Sequence, residues 1–107
     1  MPNWSNWQQA VQYSPDGPGV TLLHRSERLK VLLVGLEPGQ ALPPHPGPEA
    51  SFSFLGGRGI MLIGEKELEV GAGALAVVPE GEIRSIRATT ERLAFVGTLG
   101  DPDATHQ

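Results

Sequence analysis

Apolar runs of strand length, each closed by glycine or proline, repeat along most of this chain. Val20–His24 opens the series. Leu29–Leu36 follows as a nearly continuous apolar run, interrupted only by Lys30 and Gly35. Such a run predicts a strand buried on both faces. Ala50–Leu55, Gly59–Ile63, Lys66–Val70, Ala74–Val78, Glu82–Ala88 and Glu91–Gly100 bring the predicted strands to eight. Gly64-Glu65 is placed to turn a hairpin between two of them. Within Glu82–Ala88 the alternation puts Arg84, Ile86 and Ala88 on one face and Ile83, Ser85 and Arg87 on the other. Within Ala50–Leu55 it separates Ser51 and Ser53 from Phe52 and Phe54. With Glu49 turned inward, the two serines would line the interior and the two phenylalanines would form an outer wall in need of cover.

The ends read differently. Trp4, Trp7 and Val11 fall on one stripe of a short helical turn that Ser5-Asn6 can start. The turn cluster Ser14-Pro-Asp-Gly-Pro-Gly19 stops it. This arm is expected to pack over the mouth of the barrel or onto a partner subunit. Residues 101–107 form a polar tail, expected to fray, that contains His106. The expected domain plan is one unit over 1–107, with an arm at 1–19, a barrel core at about 20–100 and the tail. Many short strands with no competing amphipathic helix predict an all-β sandwich or barrel.

Composition narrows the classes. A chain of 107 residues, 39% hydrophobic, suffices for one modest core. Its 14 Gly and 10 Pro punctuate rather than pervade, as tight turns between strands require. The absence of cysteine removes disulfides and thiolate metal sites. A net charge of −4 disfavours electrostatic binding to nucleic acid or to an anionic membrane. No apolar stretch is long enough to span a bilayer and no signal peptide is visible, so the cytoplasm is the expected location.

Two stretches concentrate the candidate chemistry. Gly39-Gln-Ala-Leu-Pro-Pro-His45-Pro-Gly-Pro-Glu49 runs into the strand that ends at Gly56-Gly57. Gly73-Ala-Leu-Ala-Val-Val-Pro79-Glu-Gly81-Glu-Ile-Arg84 echoes it. The prolines around His45 exclude helix and impose an extended corner. They hold His45 and Glu49 at low entropic cost. These stretches resemble the two signature motifs of the cupin superfamily, in particular its small single-domain bacterial members. The first motif places an H-x-H pair and a Glu between two glycines. The second runs G, five residues, P-x-G, two residues, H, three residues, N. Gly39, His45, Glu49 and Gly56 or Gly57 follow the first motif with its middle about two residues short. His45 therefore aligns with either of its histidines. Gly73, Pro79 and Gly81 match the second motif in register. Its histidine falls on Arg84 and its asparagine on Ala88.

The resemblance, covering roughly 29–100, implies a double-stranded β-helix, or jelly-roll, barrel. It also implies a metal held by three His and one Glu, of which this chain keeps only His45 and Glu49. Two ligands are few for a transition metal, and Arg84 stays charged at any working pH. At about 4 Å and an effective dielectric of about 20, a unit pair is worth ~4 kcal/mol, so a divalent ion facing Arg84 meets roughly twice that in repulsion. The expectation is a site without metal, in which Arg84 pairs with Glu49. A lumen with His45, Glu49, Arg84, Ser51 and Ser53 would bind a small polar or anionic molecule, such as a carboxylate on the guanidinium fork. The second reading is a metal-dependent oxygenase or isomerase using Fe, Mn, Ni or Zn on His45, Glu49 and a further ligand such as His24. The third is a structural or interaction module with no ligand. Gly56-Gly-Arg-Gly59 is Gly-rich but opens no helix, so it is a weak phosphate loop. Apolar Phe52, Phe54, Trp4 and Trp7 on the outside would need cover, which a two-fold homodimer supplies.

Overall fold

The computed structural model describes residues 6–100. Trp4, Ser5 and the tail with His106 lie outside them. One short helix, α1 (Trp7–Ala10), precedes nine strands: β1 (Gly19–Arg25), β2 (Leu29–Leu36), β3 (Ala41–His45), β4 (Ala50–Gly56), β5 (Arg58–Ile63), β6 (Lys66–Gly71), β7 (Leu75–Val78), β8 (Arg84–Ala88) and β9 (Leu93–Gly100). They form a five-stranded sheet in the order β1-β2-β9-β4-β7 and a four-stranded sheet in the order β3-β8-β5-β6. All pairings are antiparallel.

The eight expected strands are present within a few residues at each end. The ninth is β3, inside the proline corner. Pro43 and Pro44 are tolerated there because β3 is an edge strand, with a register irregularity between Leu42 and His45. The Gly64-Glu65 hairpin turn holds Gly64 at φ 61°, a left-handed backbone that glycine adopts without strain.

The core lies between the two sheets. Leu36, Met61, Val78 and Leu93 are fully buried there. Phe95 packs against Phe52 (ring centroids 6.0 Å) and against Phe54 (5.4 Å). Phe52 and Phe54 therefore face inward, and the expected phase of β4 is reversed. Ser51 is exposed and Ser53 half-buried on the outer face, with Glu49 exposed just before the strand. Two phenylalanines bury far more apolar area than two serines, so they set which way the strand turns.

The arm packs neither at the lumen mouth nor free of its own barrel. Gly19, Gly35, Ala94 and Gly56 are cross-strand partners in sequence across β1, β2, β9 and β4. They form a row of small residues on the outer face of the larger sheet. The Gln12 carbonyl lies on Gly19 and Gly35, the Tyr13 ring on Gly35 and the Trp7 ring on Gly56, each where a Cβ would collide. Asn6 caps α1 by accepting from the Gln8 amide at 2.9 Å. The helix ends at Ala10, so the stripe stops short of Val11.

Candidate lumen site

A cavity of 230 Å³ opens between the sheets at one end of the barrel. Its walls include Val34, Phe52 and Leu99 from the larger sheet and Leu42, His45, Arg84 and Ile86 from the smaller one. The strand register explains the grouping. Leu42 pairs with Ile86 and His45 with Arg84 across β3 and β8, so all four project together. Ser85 also borders the cavity, but the alternation of β8 turns its side chain to the other face; apart from His45 and Arg84, the remaining lining side chains are hydrocarbon.

Arg84 is 4% exposed. Its Nη1 donates to the Pro48 carbonyl at 2.6 Å. Its Nη2 donates to the carbonyls of Gly47 (3.1 Å), Pro79 (3.2 Å) and Glu82 (3.1 Å). Its Nε donates to the Glu82 carbonyl at 3.2 Å. The guanidinium thus ties the proline corner to the turn before β8, and the Gly81 amide donating to the Gly47 carbonyl at 2.8 Å reinforces the join. Burial lowers the Arg84 pKa and nearby Glu82 opposes that shift. Four backbone carbonyls are the guanidinium's compensation for leaving water.

This arrangement corrects two expectations. Arg84 does not pair with Glu49, which stays exposed outside the cavity while the guanidinium spends its donors on carbonyls. For the same reason its fork is not free to clasp a carboxylate. At most one of its five N–H groups, the second on Nη1, lacks an acceptor.

Of the five expected site residues, the structure brings His45 and Arg84 to the cavity and leaves Glu49, Ser51 and Ser53 outside it. His45 accompanies an Nδ1 contact of 2.8 Å with the Pro43 carbonyl. His24 is exposed on β1 beside a register irregularity and does not line the cavity. The apolar lining from Val34, Leu42, Phe52 and Leu99 is absent from the sequence expectation, which turns the serines inward. The Phe52/Phe54 alternation was the signal for the opposite phase. Gly56-Gly-Arg-Gly59 forms the β4–β5 corner beside an open depression of 750 Å³, where Arg58 and Glu91 make an exposed ion pair at 3.5 Å. It opens no helix.

The metal centre that cupins imply does not fit this donor set. Among the described residues no three His, Cys, Asp or Glu side chains cluster to hold an ion. A buried guanidinium stands where the second motif has its histidine, and Glu49 faces away.

No protein-family model and no curated protein sequence matches the chain. Solved structures do. A Klebsiella pneumoniae protein described as an uncharacterized conserved protein with a double-stranded β-helix domain superposes with a TM-score of 0.85 at 18% identity, covering 97% of this chain and 94% of that one. A Thermus thermophilus protein gives 0.84 at 24% identity over 91% and 96%. An RmlC-like cupin protein from Desulfovibrio desulfuricans gives 0.80 at 25% identity over 92% and 97%. The two packed antiparallel sheets and these likenesses together make the chain a small domain of the cupin, RmlC-like double-stranded β-helix fold.

Proposed function

We propose that this domain binds a small molecule in the lumen cavity without a metal ion. The observation that carries the reading is the 230 Å³ space walled by hydrocarbon, with His45 and the carbonyl-tethered Arg84 at its edge. A cavity of roughly 150 Å³ lined by Leu, Ile and Phe already accepts benzene, so this one has room for a ring with a substituent. The lining moves the ligand class from the polar or anionic molecule expected on sequence toward a predominantly apolar one. A charged group placed among Val34, Leu42, Phe52 and Leu99 would lose its hydration without replacement.

A thermal-shift panel of small aromatic and aliphatic compounds tests the reading. A lumen ligand raises the Tm of the wild type, because it binds the folded state alone. It loses that effect in Leu42→Trp, which fills the cavity. Ligands that stabilise both proteins equally would place binding elsewhere. The metal-dependent alternative is tested alongside. Fe, Mn, Ni or Zn should leave the Tm unchanged, and an increase abolished by His45→Ala would restore it.

A further inference from the structure

We propose that the lumen takes an uncharged alcohol or phenol, whose hydroxyl donates to Nε2 of His45. The inference rests on the lumen-binding reading above and adds to it the polar handle of the ligand.

The ring's chemistry follows from its one protein contact. Nδ1 of His45 lies 2.8 Å from the Pro43 carbonyl oxygen. A carbonyl only accepts, so Nδ1 carries the proton. In the neutral imidazole the lone pair then belongs to Nε2. Nε2 makes no hydrogen bond among the described residues, while His45 lines the cavity. The proline corner fixes the backbone that presents the ring, since Pro43, Pro44 and Pro46 flank it.

The rest of the cavity restricts what can answer that lone pair. Val34, Leu42, Phe52 and Leu99 offer no polar group, the alternation of β8 turns the hydroxyl of the bordering Ser85 to the opposite face, and Arg84 has at most one N–H to spare. The site therefore supplies one acceptor and no more than one donor. A carboxylate brings lone pairs alone and would meet Nε2 with repulsion. An ammonium brings donors but also a charge that the hydrocarbon walls cannot solvate. A hydroxyl on a small apolar body donates to Nε2 and can accept the remaining Arg84 N–H. The 230 Å³ volume suits a phenol with a small alkyl substituent.

The probes are p-cresol, toluene and p-toluate, titrated at pH 8 into uniformly labelled protein and followed by NMR at the methyl groups of Val34, Leu42 and Leu99. The expected order is p-cresol about tenfold tighter than toluene, the gain of one satisfied hydrogen bond, with p-toluate weakest. His45→Phe should erase the preference, bringing p-cresol and toluene to equal affinity. His45→Gln, which restores an acceptor, should recover part of the difference. Because His45 is exposed, both variants are expected to keep the wild-type fold, checked by their methyl spectra. An ¹⁵N spectrum of the imidazole should display the Nδ1–H tautomer. Equal binding of cresol and toluene, or tightest binding of toluate, would overturn the hydroxyl inference while leaving the lumen as a binding site. Failure of all three probes to shift those methyl signals at millimolar concentration would overturn the lumen reading as well.

Discussion

Arg84 decides most at the scale of single residues. Removing a guanidinium that is itself buried and serves four backbone carbonyls in partly buried bonds unties the proline corner from the turn before β8. Arg84→Met should therefore cost about 3 kcal/mol or more in urea unfolding. Arg84→Lys should recover little, because one ammonium lacks the planar fork that reaches Gly47, Pro48, Pro79 and Glu82 together. A loss below about 0.5 kcal/mol, the range of an ordinary surface change, would show that these bonds are not holding the corner. Thr21 is the opposite case. Its hydroxyl is buried with no partner among the described residues. Thr21→Val keeps the shape, removes the unsatisfied group and should raise stability by about 1 kcal/mol in the same assay. The position of Arg84 was legible in sequence, since Gly73, Pro79 and Gly81 fix its register on β8. Its partners were not. Backbone carbonyls leave no mark in a list of side chains, whereas Glu49 offered a visible opposite charge.

Strands and turns were legible where hydrophobic period and Gly/Pro punctuation agree, and they were misread where the two compete. β2, β5, β6 and β9 fall as expected because continuous or alternating apolar runs end at unambiguous turns. β3 was hidden because proline argues against strand, and only its place at a sheet edge permits it. β4 lies where the sequence places it but in the opposite phase, because the larger apolar pair Phe52 and Phe54, and not Glu49, sets which face turns inward. The arm is the element whose docking is most open to test. Arg92 bonds Glu37 at 2.8 Å through Nε and at 3.3 Å through Nη2, and its guanidinium lies 4.4 Å from the centroid of the Tyr13 ring. Gln40 holds the Ser14 carbonyl at 2.7 Å. The hydrogen bond from Arg92 lowers the Glu37 pKa, and burial raises that of Tyr13. A lowered carboxylate pKa means a contribution present above the unfolded value of about 4.3 and lost as pH falls through the folded one. A raised phenol pKa means a contribution intact below about pH 10 and lost as pH rises through the folded value. Protection from hydrogen exchange of the Val11 amide, which donates to the Trp7 carbonyl within the arm at 2.9 Å, should thus be greatest between these limits. Glu37→Gln should abolish the decline on the acid side and leave the alkaline decline in place. Gly35→Ala should release the arm at every pH, since its methyl would occupy the space of the Gln12 carbonyl and the Tyr13 ring.

Assembly is the question that belongs to the whole molecule, and the sheet edges bear on it. The interleaved order β1-β2-β9-β4-β7 joins strands distant in sequence, so which strands become edges could not be read from a list of strands. Among the described residues four edges result: β1 and β7 on the larger sheet, β3 and β6 on the smaller. Natural edges are commonly guarded by charge, proline or bulges against pairing with another chain. β1 has exposed His24 and Arg25 and an irregularity between Leu22 and His24. β3 has Pro43 and Pro44, and β6 has Lys66, Glu67 and Glu69. β7 reads Leu75-Ala-Val-Val78 with none of these, and its Leu75 and Val77 are 79% and 71% exposed. The homodimer expected from Phe52, Phe54, Trp4 and Trp7 loses most of that basis, because both phenylalanines lie in the core, the Trp7 ring packs on Gly56 and Trp4 is outside the described residues. The unguarded β7 edge supplies another. An antiparallel strand pairs with its own copy about a two-fold axis, the commonest closed symmetry. Such a pairing would continue the sheet from one protomer into the next and bring the Leu75 and Val77 side chains of both copies onto one outer face. Light scattering at micromolar concentration should give twice the 11.4 kDa chain mass. Val77→Lys places a charge on that edge without touching the core and should return the mass to that of a single chain with an unchanged circular dichroism spectrum. Lys66→Val, on the charged β6 edge, should not alter the mass of the dimer. A wild type that scatters as a single chain, or a dimer indifferent to Val77→Lys, would remove β7 as the surface of association.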